Sequence, residues 1–176
     1  MNDPFLKKVS VNNPIDAMGN SLRAAVQRNK TYVSGTPDAE RKKFRRTWDT
    51  LIVLAAKKYS QPVTDADHCD TISQIAQSLS RRFELILIGG RLRFGTSQKA
   101  LNLYLKFMWR LGYLPKPPHC PIDGVVLRAA GLSGSWTKSD CAGEYLDWVN
   151  ALRELVQQST VADWEYLQWN RKASSK

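Results

Sequence analysis

From Ser97 to Leu111 the chain is apolar nearly all the way round a helix, and four of its polar residues, Gln98, Asn102, Lys106 and Arg110, fall on a single i, i+4 stripe. Such a helix needs apolar neighbours over most of its circumference, so it belongs at the centre of a core with other elements packed around it. The flanking sequence supplies helices for that purpose. Ile15, Met18, Leu22 and Val26 recur at helical spacing, and Thr36-Pro37 with Asp38 and Glu40 opens a helix whose buried face runs through Phe44, Trp48, Leu51, Ile52 and Ala55. Thr64-x-x-Asp67 is a capping-box variant that opens a third, containing Ile72, Ile75, Ala76, Leu79 and Phe83.

Past Phe83 the run to Ile88 suits helix or strand, and Gly89-Gly90 ends it. Pro115, Pro117, Pro118 and Pro121 stiffen the connection to a short helix at Gly124–Ala130, and Trp136 to Asp140 reads as a capped start for a helix buried through Tyr145, Trp148, Val149 and Leu152. A last helix is expected from Val161 to about Trp169. The reading is an all-α protein of six to eight helices with little or no sheet. An irregular arm over residues 1–13 precedes a single helical domain over 14–170, and a basic tail occupies 171–176.

Charge is unevenly distributed. Residues 1–60 carry 12 basic and 5 acidic side chains, residues 81–116 carry 8 basic and only Glu84, and residues 117–170 carry three basic against seven acidic. With a formal charge of +10, this segregation points to a basic face that meets a polyanion, most simply DNA or RNA. Cys69, Cys120 and Cys141 cannot form a closed disulfide framework, which favours a reducing interior. No stretch approaches the roughly 20 apolar residues of a membrane span and no signal-like run opens the chain, so a soluble intracellular protein with no membrane partner is expected. The dipeptides His68-Cys69 and His119-Cys120 lack the spacing of a structural zinc site, and neither a metal nor a cofactor is expected. No Walker loop, Ser-His-Asp order or His-Glu-x-x-His helix is present.

Chemistry is suggested by two helix starts. In Gly95-Thr96-Ser97-Gln98-Lys99, Thr96 or Ser97 is a natural N-cap, which puts Lys99 in the first turn, where the helix dipole disfavours an ammonium and would lower its pKa. A lysine of that kind is a potential nucleophile. Asp123 stands at the matching point of the helix that opens at Gly124, so a compact fold could bring amine and carboxylate to one pocket.

The Gly-x-x-x-Lys turn into a helix, the proline-rich connection and Pro121-Ile122-Asp123 together resemble the helix-hairpin-helix DNA glycosylases, in particular their 8-oxoguanine branch. The resemblance covers about 40 residues, from Gly89 to Ala130. It implies a helix-hairpin-helix core, with Gly95 as a hairpin glycine, Lys99 as the nucleophile and Asp123 as the catalytic carboxylate. It further implies excision of a damaged purine such as 8-oxoguanine from duplex DNA through a flipped base, with a strand-cleaving AP lyase step open to the lysine. On this reading Arg91, Arg93 and the amides around Gly95, Thr96 and Ser97 hold backbone phosphates, while Phe94, Trp109 and Trp136 are the candidates to support the base.

The same residues carry plainer alternatives. Lys99 as a surface phosphate contact and Asp123 as a simple N-cap would describe a non-catalytic helical module that binds nucleic acid. The six Trp and the acidic C-terminal half would suit an interaction protein in a larger assembly.

Overall fold

A computed structural model describes residues 3–27 and 29–174. Eight α-helices are present among them: α1 (Pro4–Lys8), α2 (Pro14–Val26), α3 (Asp38–Ala56), α4 (Asp65–Phe83), α5 (Phe94–Arg110), α6 (Gly124–Ala129), α7 (Ala142–Val156) and α8 (Val161–Ser174). The described residues contain no strand. α5 is the central element, packed against α2, α3 and α4. Among the described residues no helix is long and apolar enough to cross a membrane.

Local signals account for several boundaries. Asn13 caps α2 by accepting from the N–H groups of Ile15 and Asp16, with Pro14 at the first helical position. Thr64 caps α4 by accepting from Asp67 N–H, and the Thr64 hydroxyl donates back to the Asp67 carboxylate. Ahead of α3, by contrast, Thr36 makes no cap. Its hydroxyl donates to the Val33 carbonyl, and Pro37 occupies the cap position without a side-chain bond.

Four other expectations change in the folded chain. The arm over 1–13 contains α1, which is too short to hold by itself. Asp3 caps it, Phe5 stacks on Phe107 at 5.3 Å, and Arg110 pairs with the Asp3 carboxylate. Residues 84–90 become two 3₁₀ turns, pinned to the α2–α3 connection by one antiparallel bridge between Tyr32 and Leu87. Gly89 and Gly90 reverse the chain at φ 68° and 69°, a region open to glycine. Trp136 to Asp140 is a turn, and α7 begins only at Ala142. The helix read to Trp169 runs on to Ser174, so most of the basic tail continues α8, while residues 175 and 176 lie outside the described ones, as do Met1 and Asn2.

Two histidines lie in the core, both fully buried. His119 Nε2 faces Asp65 at 2.9 Å and must donate to it, so Nδ1 accepts from the Tyr145 hydroxyl at 2.8 Å. His68 spans the Tyr145 oxygen (3.4 Å) and the Tyr59 hydroxyl (2.6 Å). With both rings neutral, all four ring nitrogens and both tyrosine hydroxyls of this relay are used. Burial, with His119 alongside, pushes His68 down to about 3, and burial also lowers His119 against the pull of Asp65.

In the unfolded chain both rings take up protons below about pH 6.5, whereas the native chain resists. Stability should therefore fall as pH drops below about 6.5, by up to about 1.4 kcal/mol per pH unit for His68 on the way towards 3, with the lowered His119 adding to the fall. Urea unfolding between pH 7.5 and 4.5 measures this. A midpoint that stays flat down to pH 4.5 would contradict the neutral pair.

Candidate active site

The start of α5 is set by packing and not by a capping side chain. Arg93 occupies the N-cap position without a side-chain bond, and the helix begins at Phe94, three residues before the start read from Ser97. Gly95 lies inside the first turn because the segment 136–139 crosses it closely: a Cβ there would stand 1.8 Å from the Trp136 carbonyl oxygen. Gly95 N–H donates to the Ser139 carbonyl at 3.0 Å.

This corrects the phosphate-binding role read for Gly95, Thr96 and Ser97. All three are buried, Thr96 accepting from Asn29 at 2.6 Å and Ser97 donating to the Ile72 carbonyl at 3.0 Å. The N–H groups of Thr96 and Ser97 are taken up by the Arg93 carbonyl, so no outward nest of amides remains. Lys99 is accordingly the sixth residue of α5, beyond the first turn where the dipole acts most strongly.

The structure nonetheless brings Lys99 and Asp123 together. Lys99 Nζ lies 3.0 Å from Asp123 Oδ2, and the ammonium sits over the Trp136 ring, 4.4 Å from its centroid. Asp123 divides its two oxygens. Oδ1 accepts from Val125 N–H at 2.8 Å and Val126 N–H at 3.1 Å and so caps α6, leaving Oδ2 for the lysine. Burial pushes the Asp123 carboxyl up, but Lys99 and the two cap donors outweigh it and hold it below the usual carboxylate range.

Both residues open on a cavity of about 410 Å³, within the range of about 300–1,000 Å³ common for small-molecule sites. Its walls include Phe5 from α1, Leu103 and Phe107 from α5, and Trp164, Glu165, Gln168 and Trp169 from α8. Behind the wall, Lys106 pairs with Glu165 at 2.6 Å, and its ammonium lies 4.0 Å from the Phe5 ring. Burial raises Glu165 despite Lys106. The α1 and α8 residues escaped the sequence reading. The one available signal was Lys106, a cation on a helix otherwise destined for the core, which required a buried carboxylate from elsewhere in the chain.

The three aromatic candidates separate. Trp136 is at the site but lies against the lysine. Phe94 is buried against Tyr145, at the floor of a shallow groove lined also by Arg81 and Arg91. Trp109 is roughly 15 Å along α5 from Lys99 and packs with Tyr166 and Arg110.

The charge pattern also resolves differently. Arg91 and Arg93 share Asp140, and Arg93 donates to the Lys138 carbonyl, clamping the 136–140 turn over the start of α5. Lys99, Lys106, Arg110 and Lys116 pair with Asp123, Glu165, Asp3 and Asp163. The basic 81–116 segment is thus largely neutralised by the acidic C-terminal half. The cations left in solvent without an ion pair, among the described residues, include Lys42, Lys43, Arg45 and Arg46 of α3. No protein-family model, curated protein or solved structure matches this chain.

Proposed function

We propose that the protein is a DNA glycosylase of the helix-hairpin-helix type, excising a damaged purine such as 8-oxoguanine with Lys99 as nucleophile and Asp123 as stabilising carboxylate. The observation that carries this reading is the Lys99–Asp123 pair, 3.0 Å apart on the wall of an aromatic-lined cavity. Cleavage of an N-glycosidic bond sends the bonding electrons to the base and builds positive charge on the sugar, which the Asp123 carboxylate stabilises. Lys99 gives up its ammonium proton, which ends on the departing base, and the neutral amine then attacks C1′. The resulting aminal can open to a Schiff base, from which strand cleavage follows by elimination. A base turned out of the stack would enter the cavity walled by the Phe5, Phe107, Trp164 and Trp169 rings. Gly95, the hairpin glycine of the resemblance, lies inside α5, so the turn with Gly89 and Gly90 between α4 and α5 would have to serve as the hairpin instead, and the exposed α3 cations would hold backbone phosphates.

Those α3 cations would serve equally in a module that binds nucleic acid without chemistry, so the test must read chemistry. Incubation with duplexes carrying single modified bases, followed by borohydride, should release free base and trap a covalent protein–DNA species on at least one lesion. Duplex affinity should fall steeply between about 50 and 200 mM salt. Salt-sensitive binding with no base release on any lesion would select the non-catalytic module instead.

A further inference from the structure

Next to each member of the reactive pair stands a residue that the glycosylase chemistry does not use. Gln98 precedes Lys99, Ile122 precedes Asp123, and the Gln98 carboxamide grips the Ile122 peptide at two points. Nε2 donates to the Ile122 carbonyl at 2.6 Å, and Oε1 accepts from the Ile122 N–H at 3.2 Å. Both residues are almost completely buried.

The amide has a single workable orientation. Oε1 also accepts from Asn102 Nδ2 at 3.1 Å, so it faces two donors, and a flipped amide would set NH against NH. Asn102 is itself held, donating to the Tyr145 oxygen at 2.9 Å, and Tyr145 is anchored through His119 to Asp65 and its bidentate partner Arg153. A chain of buried polar groups therefore runs from a surface ion pair to the backbone beside Asp123. The segment 120–123 has no regular structure of its own, so this clasp and the Asp123 cap are what place the carboxylate.

We propose that Gln98 is a positioning residue, whose carboxamide locks the Ile122 peptide to α5 and thereby holds the Asp123 carboxylate against the Lys99 amine. Its catalytic consequence rests on the glycosylase reading, and its geometric consequence does not. The chemistry of the clasp makes it separable from bulk packing. A protonated carboxylic acid has the same shape and the same donor and acceptor as the amide, whereas a carboxylate loses the donor and sets negative charge against the Ile122 carbonyl. Gln98→Glu should therefore work only when protonated, and Gln98→Leu should fail at every pH. Lys99, Asp123, Cys120, Tyr145, His68 and His119 are the titratable groups around the clasp, with Lys106 and Glu165 beyond them, and the wild-type profile controls for all of these.

Single-turnover base release by the full chain, on whichever modified duplex wild type processes, is measured from pH 5.5 to 8. We expect Gln98→Leu to slow release about 100-fold throughout, with duplex affinity nearly unchanged. Gln98→Glu should match that loss at pH 8 and recover towards wild type as pH falls. Wild-type rates in Gln98→Leu, or a Gln98→Glu profile parallel to wild type, would overturn the proposal. If Gln98→Leu does not fold, the Gln98→Glu profile alone decides.

Should wild type release no base at all, the glycosylase reading fails and the clasp is read by carbon NMR of the Asp123 carboxyl. Loosened from Lys99, that carboxyl should titrate at higher pH in Gln98→Leu, or in Gln98→Glu above the pH at which the introduced carboxyl ionises. An unchanged Asp123 titration would overturn the clasp independently of activity.

Discussion

Lys99→Gln is expected to abolish borohydride trapping on a lesion-bearing duplex while leaving duplex affinity close to wild type. Glutamine is polar and one bond shorter, and its amide points towards Asp123 Oδ2, where Lys99 Nζ now lies at 3.0 Å. It has no basic lone pair and cannot form a Schiff base, so the covalent species disappears even if some base is released. Asp123→Asn is the companion experiment. Asparagine keeps the cap, because Oδ1 already serves Val125 and Val126, and puts in place of Oδ2 an NH2 that carries no charge and cannot accept from Lys99.

Base release in Asp123→Asn should fall by roughly 100- to 1,000-fold, the scale on which one electrostatic stabiliser of a transition state acts. Each variant leaves its former partner less well paired, so a stability loss of up to about 3 kcal/mol is expected in either, with a folded protein in both. Circular dichroism and duplex affinity check the fold. Trapping that persists in Lys99→Gln would move the nucleophile elsewhere, and equal unfolding of both variants would make the pair structural.

Gly95→Ala should destabilise the fold strongly. On local grounds it ought to stabilise, since alanine is favoured over glycine inside a helix by about 1 kcal/mol. The tertiary structure reverses the sign. The new Cβ would lie 1.8 Å from the Trp136 carbonyl oxygen, 2.9 Å from its carbon and 3.3 Å from Ser139 Cβ. The first two of these are backbone atoms, so no side chain can swing aside.

Relief requires lifting the 136–140 turn. That breaks the Gly95–Ser139 hydrogen bond, disturbs the Arg91 and Arg93 pairs with Asp140, and takes Trp136 off the Lys99 ammonium. A loss above about 4 kcal/mol is expected, or a fall in Tm of about 10 °C, with loss of any activity of the Lys99 site. Gly19→Ala in α2 is the control. Its Cβ meets nothing within 4 Å, so the same substitution should stabilise by up to about 1 kcal/mol. Equal Tm shifts for the two variants would mean that the 136–139 segment does not press on α5 as described.

What the amino-acid sequence determined by itself is the helical class and the features written within a few residues of one another. Asn13-Pro14 and Thr64-x-x-Asp67 start their helices, Asp123 caps α6, and the apolar circumference of 97–111 places α5 at the centre. These signals are legible because a cap bonds two or three residues ahead and a helix repeats every 3.6 residues.

The tertiary structure alone decided what the remaining residues do. Gly95 serves a close crossing 41 residues away and not a phosphate nest, the polar stripe of α5 is consumed by Ile122, Tyr145, Glu165 and Asp3, and α1 and α8 close the cavity around Lys99. The fate of the segregated charge was decided in the same way. Opposite charges far apart in sequence need not form two faces, because folding can desolvate and pair them, and here the cations of α5 find their carboxylates on α1, α8 and the start of α6. Such pairings depend on which segments meet in space, and no local period or spacing records that.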